Sequence, residues 1–174
     1  MNSQDHLLNI EIAGIRRQLP VEKIEGKYRP HLQLLTDVQL TNVSAGVLAP
    51  QLTKLNWDIL VGTTIETIPL LHMLSSFLGR DHYALCLSDQ NRPDNSNGCD
   101  HAVDSEFAEL LTGKQLVTVQ PLAIASKTAE KLTSSLQRTD VRLMAKAAVL
   151  VSEEIEDEYI YAETFSDKQI TSSS

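Results

Sequence analysis

The chain has 174 residues, 42% of them hydrophobic and 22% charged, with 15 basic against 23 acidic side chains. That length and mix predict a single soluble domain with a substantial core. The net charge of -8 argues against a nucleic-acid partner or an anionic membrane surface, both of which need clustered Lys and Arg.

Leu7–Ala13 and Val21–Ile24 read as two short strands separated by the breaks at Gly14 and Pro20. Apolar residues then recur at Leu40, Val43, Val47, Leu52 and Leu55, which is helical spacing, and Pro50 is expected to kink or split that helix. Trp57–Val61 is a compact apolar strand and Gly62–Glu66 a loop. Pro69 marks a helix start, with Leu71, Leu74 and Leu78 facing the core and Gly79 as the cap. Tyr83–Leu87 is the next strand. Residues 88–104 have no periodicity and are dense in Asp, Asn and Gly, a long, flexible, acidic loop. A short helix around Glu106–Leu111 follows, then strand Gln115–Val119, a helix from Ser126 to about Leu136, and strand Leu143–Val151. The acidic run at residues 153–158 reads as a solvated turn, Tyr159–Ala162 as an edge strand, and residues 167–174 as a frayed tail. Cys86 reads as a small core residue and Cys99 as a loop thiol, with a disulfide between them the less favoured reading.

Strand–helix alternation with apolar strands predicts an α/β domain spanning residues 1–174. It should have a mostly parallel central sheet flanked by helices on both faces, with the short N-terminal strands beside it. Ligand sites in such sheets lie beyond the carboxyl ends of the strands. Two turns therefore matter, Gly62–Thr67 and Gln120–Thr128, and both are expected beyond strand ends.

Four stretches carry a resemblance: IAGIRRQLPV from Ile12, WDILVGTTIETIPLLHMLSSFLGRDHYALC from Trp57, GKQLVTVQPLAIASKTAEKL from Gly113, and MAKAAVLVSEE from Met144. Together they resemble the adenine-type branch of the type I phosphoribosyltransferases, over roughly residues 10 to 165. The resemblance implies that fold, and an activity in which a purine base displaces pyrophosphate from phosphoribosyl pyrophosphate, with Mg2+ bridging the donor. It also implies which residues should hold the donor, and these have changed.

The family's donor motif has two acidic residues and then a Thr-Gly-Gly-Thr-like turn. The carboxylates accept from the ribose hydroxyls, and the glycines let backbone N–H groups wrap the 5′-phosphate at a helix N-terminus. Here Gln120 and Pro121 stand at the acidic positions and Ala125, Ser126, Lys127 and Thr128 in the turn; only Thr128 fits. In the pyrophosphate loop the branch carries a glutamate, then a lysine and a glycine. This chain has Thr63, Thr64, Ile65, Glu66 and Thr67. Glu66 puts an anion where a cation would face pyrophosphate; two unit charges about 4 Å apart repel by roughly 4 kcal/mol at an effective dielectric near 20. The strand that should end in Arg-Lys ends in Ser88 and Asp89, and the following loop sets Asp94, Asp100 and Asp104 against Arg92.

Blander readings stand beside these. Ser126, Lys127 and Thr128 offer an anion donors and a charge at a helix N-terminus, or Ser126 is simply an N-cap. Thr63 and Thr64 hold a phosphate or are ordinary turn residues. His6, His31, His72, His82 and His101 show no helix-face ligand spacing, and the Asp100–His101–Asp104 cluster reads as a solvated loop, with weak capture of a divalent ion the less favoured reading.

The expectation is a phosphoribosyltransferase-like protein that has lost its catalytic residues and binds no cofactor or metal. It would serve as a binding, regulatory or structural subunit in the cytoplasm. It would form a homodimer or a heteromer with a related subunit, with Leu7–Ala13 as a contact and a purine or phosphate as the candidate ligand. The alternative is an active adenine-type transferase using phosphoribosyl pyrophosphate and Mg2+ in an altered site. A third reading is a small-ligand sensor that kept only the base pocket beneath the long loop.

Overall fold

A computed structural model describes residues 6–24, 26–85, 111–124, 140–155 and 158–172. In chain order the elements are β1 (His6–Ile12), β2 (Ile15–Ile24), β3 (Lys27–Pro30), α1 (Val38–Leu52), β4 (Ile59–Gly62), α2 (Ile68–Phe77), β5 (Tyr83–Leu85), β6 (Gln115–Ala123), β7 (Arg142–Ser152), β8 (Ile160–Phe165) and β9 (Ile170–Ser172). Cys86, Cys99, the loop 88–104 and the helix expected over Ser126–Leu136 lie outside the described residues. So does the helix expected over Glu106–Leu111, apart from Leu111.

The central sheet has the order β5-β4-β6-β7-β8, and every pairing is parallel. Such strands are covered on both faces and read as continuous apolar runs. All of β4 is buried, as is β7 from Ala147 onward. Leu40, Leu48 and Leu52 of α1 and Leu70, Leu71 and Leu74 of α2 share one buried cluster with Val117, Val119, Ala147 and Val149 of the sheet. Ile59, Val61, Ala84 and Leu116 form a second cluster with Leu111.

A smaller antiparallel sheet, β3-β2-β1-β9, forms a hood. Its strands alternate: Leu8, Ile10 and Ile12 are buried, Asn9 and Glu11 exposed. The buried set joins the α1–α2 cluster. The apolar side chains of Leu7–Ala13, expected at a subunit contact, thus lie mainly in the chain's own core. β1 and β2 are joined by Ala13 and Gly14, both at positive φ (48° and 82°), as a tight hairpin turn requires.

Four expectations are corrected. Pro20 does not separate strands but lies inside β2, opposite Leu7. Counting from the closing pair Ile12–Ile15, this is a non-hydrogen-bonded position, so its missing N–H breaks no β1 ladder bond. Pro50 does not split α1, which runs unbroken to Leu52; in the last turn a proline removes one bond from a helix already ending. The tail is not frayed through residues 167–172. Residues Asp167–Gln169 form a 3₁₀ turn, and β9 pairs with β1 from Ile170 opposite Leu8 to Ser172 opposite His6. The strand expected from Trp57 begins at Ile59, because the Trp57 indole Nε1 turns back to donate to the Leu52 carbonyl at 2.9 Å.

One ion pair ties the hood to the core. Arg17 of β2 donates to Asp37 through Nε (2.5 Å) and Nη2 (3.1 Å), and Asp37 caps α1 by accepting the Leu40 N–H at 2.9 Å. The bond from Arg17 holds the Asp37 carboxyl below its usual 3.8, against the upward push of burial. A depressed folded value means the stabilisation is complete above 3.8 and is lost as pH falls through the folded value. Asp37→Ala should therefore cost about 1 kcal/mol near neutral pH. In denaturant titrations the gap from the parent should close in acid.

Candidate functional site

From β4 the chain passes to β5 on one side and returns to β6 on the other. Such a reversal opens a crevice at the carboxyl ends of the two strands, where α/β sheets place their ligands. Gly62, the last residue of β4, lies opposite Val119 of β6. Thr63 and Gln120 therefore follow from neighbouring positions, and the fold brings the start of both sequence-identified turns to the switch point.

The first turn is built on Gly62. A Cβ there would lie 2.3 Å from Thr67 Oγ1, 2.5 Å from Leu71 Cδ1 and 2.9 Å from Leu85 Cδ2. Thr67 is buried, and both its hydroxyl and its N–H donate to the Thr64 carbonyl, which ties down the 3₁₀ turn Ile65–Thr67. Ile68 and Pro69 then open α2. Thr67 is thus a structural residue folded under the turn. Thr63 is half-buried, and Thr64 Oγ1 is buried without a hydrogen-bond partner among the described residues. Ile65, 55% exposed, and Glu66 face solvent. The turn therefore presents an aliphatic group and a carboxylate, while the Thr67 hydroxyl points to the turn's own backbone and that of Thr64 lies buried.

The second turn begins later than expected. Gln120 and Pro121 do not lie beyond a strand end; β6 continues through both to Ala123, in register with β7 as far as Ala123 opposite Val151. Pro121 is tolerated inside a sheet because β4 stops at Gly62, so past Val119 β6 has a neighbouring strand on one side only among the described residues. The Gln120 amide Nε2 donates to the Tyr159 hydroxyl at 3.0 Å, and Lys146 Nζ lies 5.7 Å from the Tyr159 ring centre. Ala125, Ser126, Lys127 and Thr128 lie outside the described residues.

This geometry decides what Gln120 and Pro121 can do. A carboxylate pair would offer the ribose hydroxyls several acceptor sites. Pro121 offers none from its side chain, and Gln120 offers one amide carbonyl oxygen in place of a carboxylate, its Nε2 being engaged with Tyr159. Sequence reasoning missed Tyr159 because it opens an apolar run and reads as a strand residue; nothing local signals that its hydroxyl turns back to β6.

The Mg2+ that the resemblance implies does not fit these residues. Neither Gln120 nor Pro121 carries a carboxylate, and no group of three or more His, Cys, Asp and Glu converges among the described residues. The histidines stay dispersed: His6 packs edge-on to Tyr28, His31 Nε2 lies 3.3 Å from a Glu22 carboxylate oxygen, and His72 and His82 are exposed. His101 lies outside the described residues. A cleft of about 690 Å3 occurs elsewhere, between the hood and β8, and none of the candidate residues lines it. No helix among the described residues is long and apolar enough to cross a membrane.

No protein-family model and no curated protein matches the chain. Solved structures do match. An adenine phosphoribosyltransferase from Thermoanaerobacter pseudethanolicus superposes with a TM-score of 0.62 at 13% identity, covering 83% of this chain and 95% of that one. A purine phosphoribosyltransferase from Pyrococcus horikoshii gives 0.52 at 16% identity, over 75% of this chain and 83% of that one. A Neisseria gonorrhoeae protein with bound ppGpp gives 0.52 at 16% identity, over 75% and 79%. The parallel five-stranded sheet, the crevice between β4 and β6 and these superpositions together establish that the chain has the type I phosphoribosyltransferase fold, of the kind seen in adenine phosphoribosyltransferase.

Proposed function

We propose that this chain keeps the phosphoribosyltransferase fold without the transfer reaction, and acts as a binding, regulatory or structural subunit. The observation that carries this reading is the pair Gln120–Pro121, set within β6 with the Gln120 amide on Tyr159, where the resemblance implies two free carboxylates. Exposed Glu66 on the neighbouring turn adds repulsion toward a pyrophosphate. Core strands and helices around these positions remain well patterned, which fits selection for folding without this chemistry.

Titration calorimetry with phosphoribosyl pyrophosphate and Mg2+ is expected to give no measurable binding. A micromolar dissociation constant, about -8 kcal/mol, would overturn the reading and favour the alternative, an altered but active adenine-type transferase. That alternative draws its support from the likeness to adenine and purine phosphoribosyltransferases. The subunit role further implies a homodimer or a complex with a related chain. Light scattering at low micromolar concentration should give more than the monomer mass; a clean monomer removes the homodimer.

A sensor of a purine nucleotide is the second reading, favoured by the shared fold of the Neisseria gonorrhoeae protein with bound ppGpp. A thermal-shift screen with purine bases, nucleotides and ppGpp separates the two: a nucleotide-dependent rise in Tm supports the sensor.

A further inference from the structure

Among the described residues, the hood sheet is unfinished along one edge. β1 pairs with β2 over its whole length, but with β9 only over His6–Leu8. The connection from β8 accounts for the shortfall. Ser166 and Gln169 each accept the other's backbone N–H through their side chains. This capping box holds Asp167–Gln169 in a turn, so the chain joins β1 only at Ile170.

The hairpin fixes where the remaining backbone groups point. The two-residue turn makes Ile12 and Ile15 the closing hydrogen-bonded pair, and such pairs alternate along an antiparallel ladder. Leu8 and Ile10 therefore bond β2, whereas Leu7, Asn9 and Glu11 turn N–H and C=O the other way. Leu7 meets Thr171 of β9. Asn9 and Glu11 have no strand opposite them among the described residues.

Both residues line the cleft of about 690 Å3, a volume within the roughly 300–1,000 Å3 of ligand sites. The far wall includes Glu163 and Thr164 of β8, the edge strand of the central sheet. Glu163 Oε1 accepts the Thr164 N–H at 2.9 Å, so this donor of β8 already has a partner. On the near wall Arg16 pairs with Glu11 at 2.6 Å, both side chains exposed to solvent, a contact that opens at little cost.

We propose that this cleft takes an extended peptide segment of a partner protein, which adds to β1 in line with β9 and completes the hood sheet. Donors and acceptors presented together at strand spacing select a polypeptide backbone, because an anion satisfies only donors. Glu163 offers its carboxylate to a Lys or Arg of the incoming strand. The proposal is independent of the reading of the donor site.

The test selects random peptides displayed on phage against the full chain and synthesises the recovered sequences. Amide hydrogen exchange by NMR is then followed with and without each peptide. The Asn9 and Glu11 amides should exchange quickly in the free chain and slow markedly with peptide, while Leu8 and Ile10 stay protected in both. Glu11→Pro removes one cleft-facing N–H without touching the β2 ladder and should weaken binding at least about tenfold. Should that variant misfold, N-methylation of alternate peptide residues tests the same bonds on the unaltered protein and should abolish binding. Recovery of no peptide overturns the proposal, as does slow exchange at Asn9 and Glu11 in the free chain. Binding that leaves those amides unchanged, or that survives N-methylation in both phases, overturns it too.

Discussion

Phe165→Ala should destabilise the protein by about 3–5 kcal/mol, the range for emptying a large aromatic from a packed core. Phe165 is 1% exposed and belongs to the cluster that joins α1, α2, the central sheet and the hood. Its carbonyl accepts the Glu153 N–H at 2.9 Å, fixing the end of β8 beside the end of β7. The residue therefore closes the core from the edge strand, and its loss leaves a cavity that hood and helices cannot both collapse into. Tyr161→Ala, on the same strand but 46% exposed, should stay within about 0.5 kcal/mol of the parent. Urea denaturation of both variants checks the contrast. Equal losses would mean that β8 is held by its ladder rather than by its side chains.

Gly62→Ala should cost about 1–3 kcal/mol, as overpacking a filled site does. The sign is informative, because an alanine ordinarily gains roughly 0.5–1 kcal/mol over glycine inside a strand or helix. At Gly62 the added carbon would sit within 3 Å of Thr67, Leu71 and Leu85 at once. Two of these are branched core side chains, and the third is the hydroxyl that ties the 3₁₀ turn to Thr64. Relief would require moving the turn. Gly46→Ala provides the opposite case: nothing lies within 4 Å of a Cβ there, and the site is exposed in α1. That variant should be more stable than the parent by up to about 1 kcal/mol. If melting curves show Gly62→Ala gaining stability as well, the close seat of Thr67 on β4 is wrong.

Much of the fold was legible in the chain. β4 and β7 announce themselves as apolar runs, α2 by Pro69 at its start and Gly79, at φ 61°, after its end. These signals are local, resting on burial on both faces and on backbone angles only certain residues accept. Pro20 and Pro50 misled because a proline's cost depends on whether its missing N–H faced a partner. In β2 it faces away from the β1 ladder, and in α1 it comes in the last turn. Residues 167–172 misled because their polar composition suits a tail, while the edge of β1 that β9 covers lies more than 160 residues earlier in the chain.

The sequence by itself determined the alternation of strands and helices, and it sets Gln120, Pro121 and Glu66 at positions where the resemblance implies two acids and a cation. The alternation is a property of residue type and spacing, and no packing alters it. Only the tertiary structure decided that β6 runs on through Pro121, that the Gln120 amide is taken up by Tyr159, and that Thr67 lies buried over Gly62. It alone placed Arg17 on Asp37 and left Asn9 and Glu11 with no strand opposite them among the described residues. Each of these depends on which strand ends where, and that is set by contacts between segments far apart in the chain, whose partners no local pattern names.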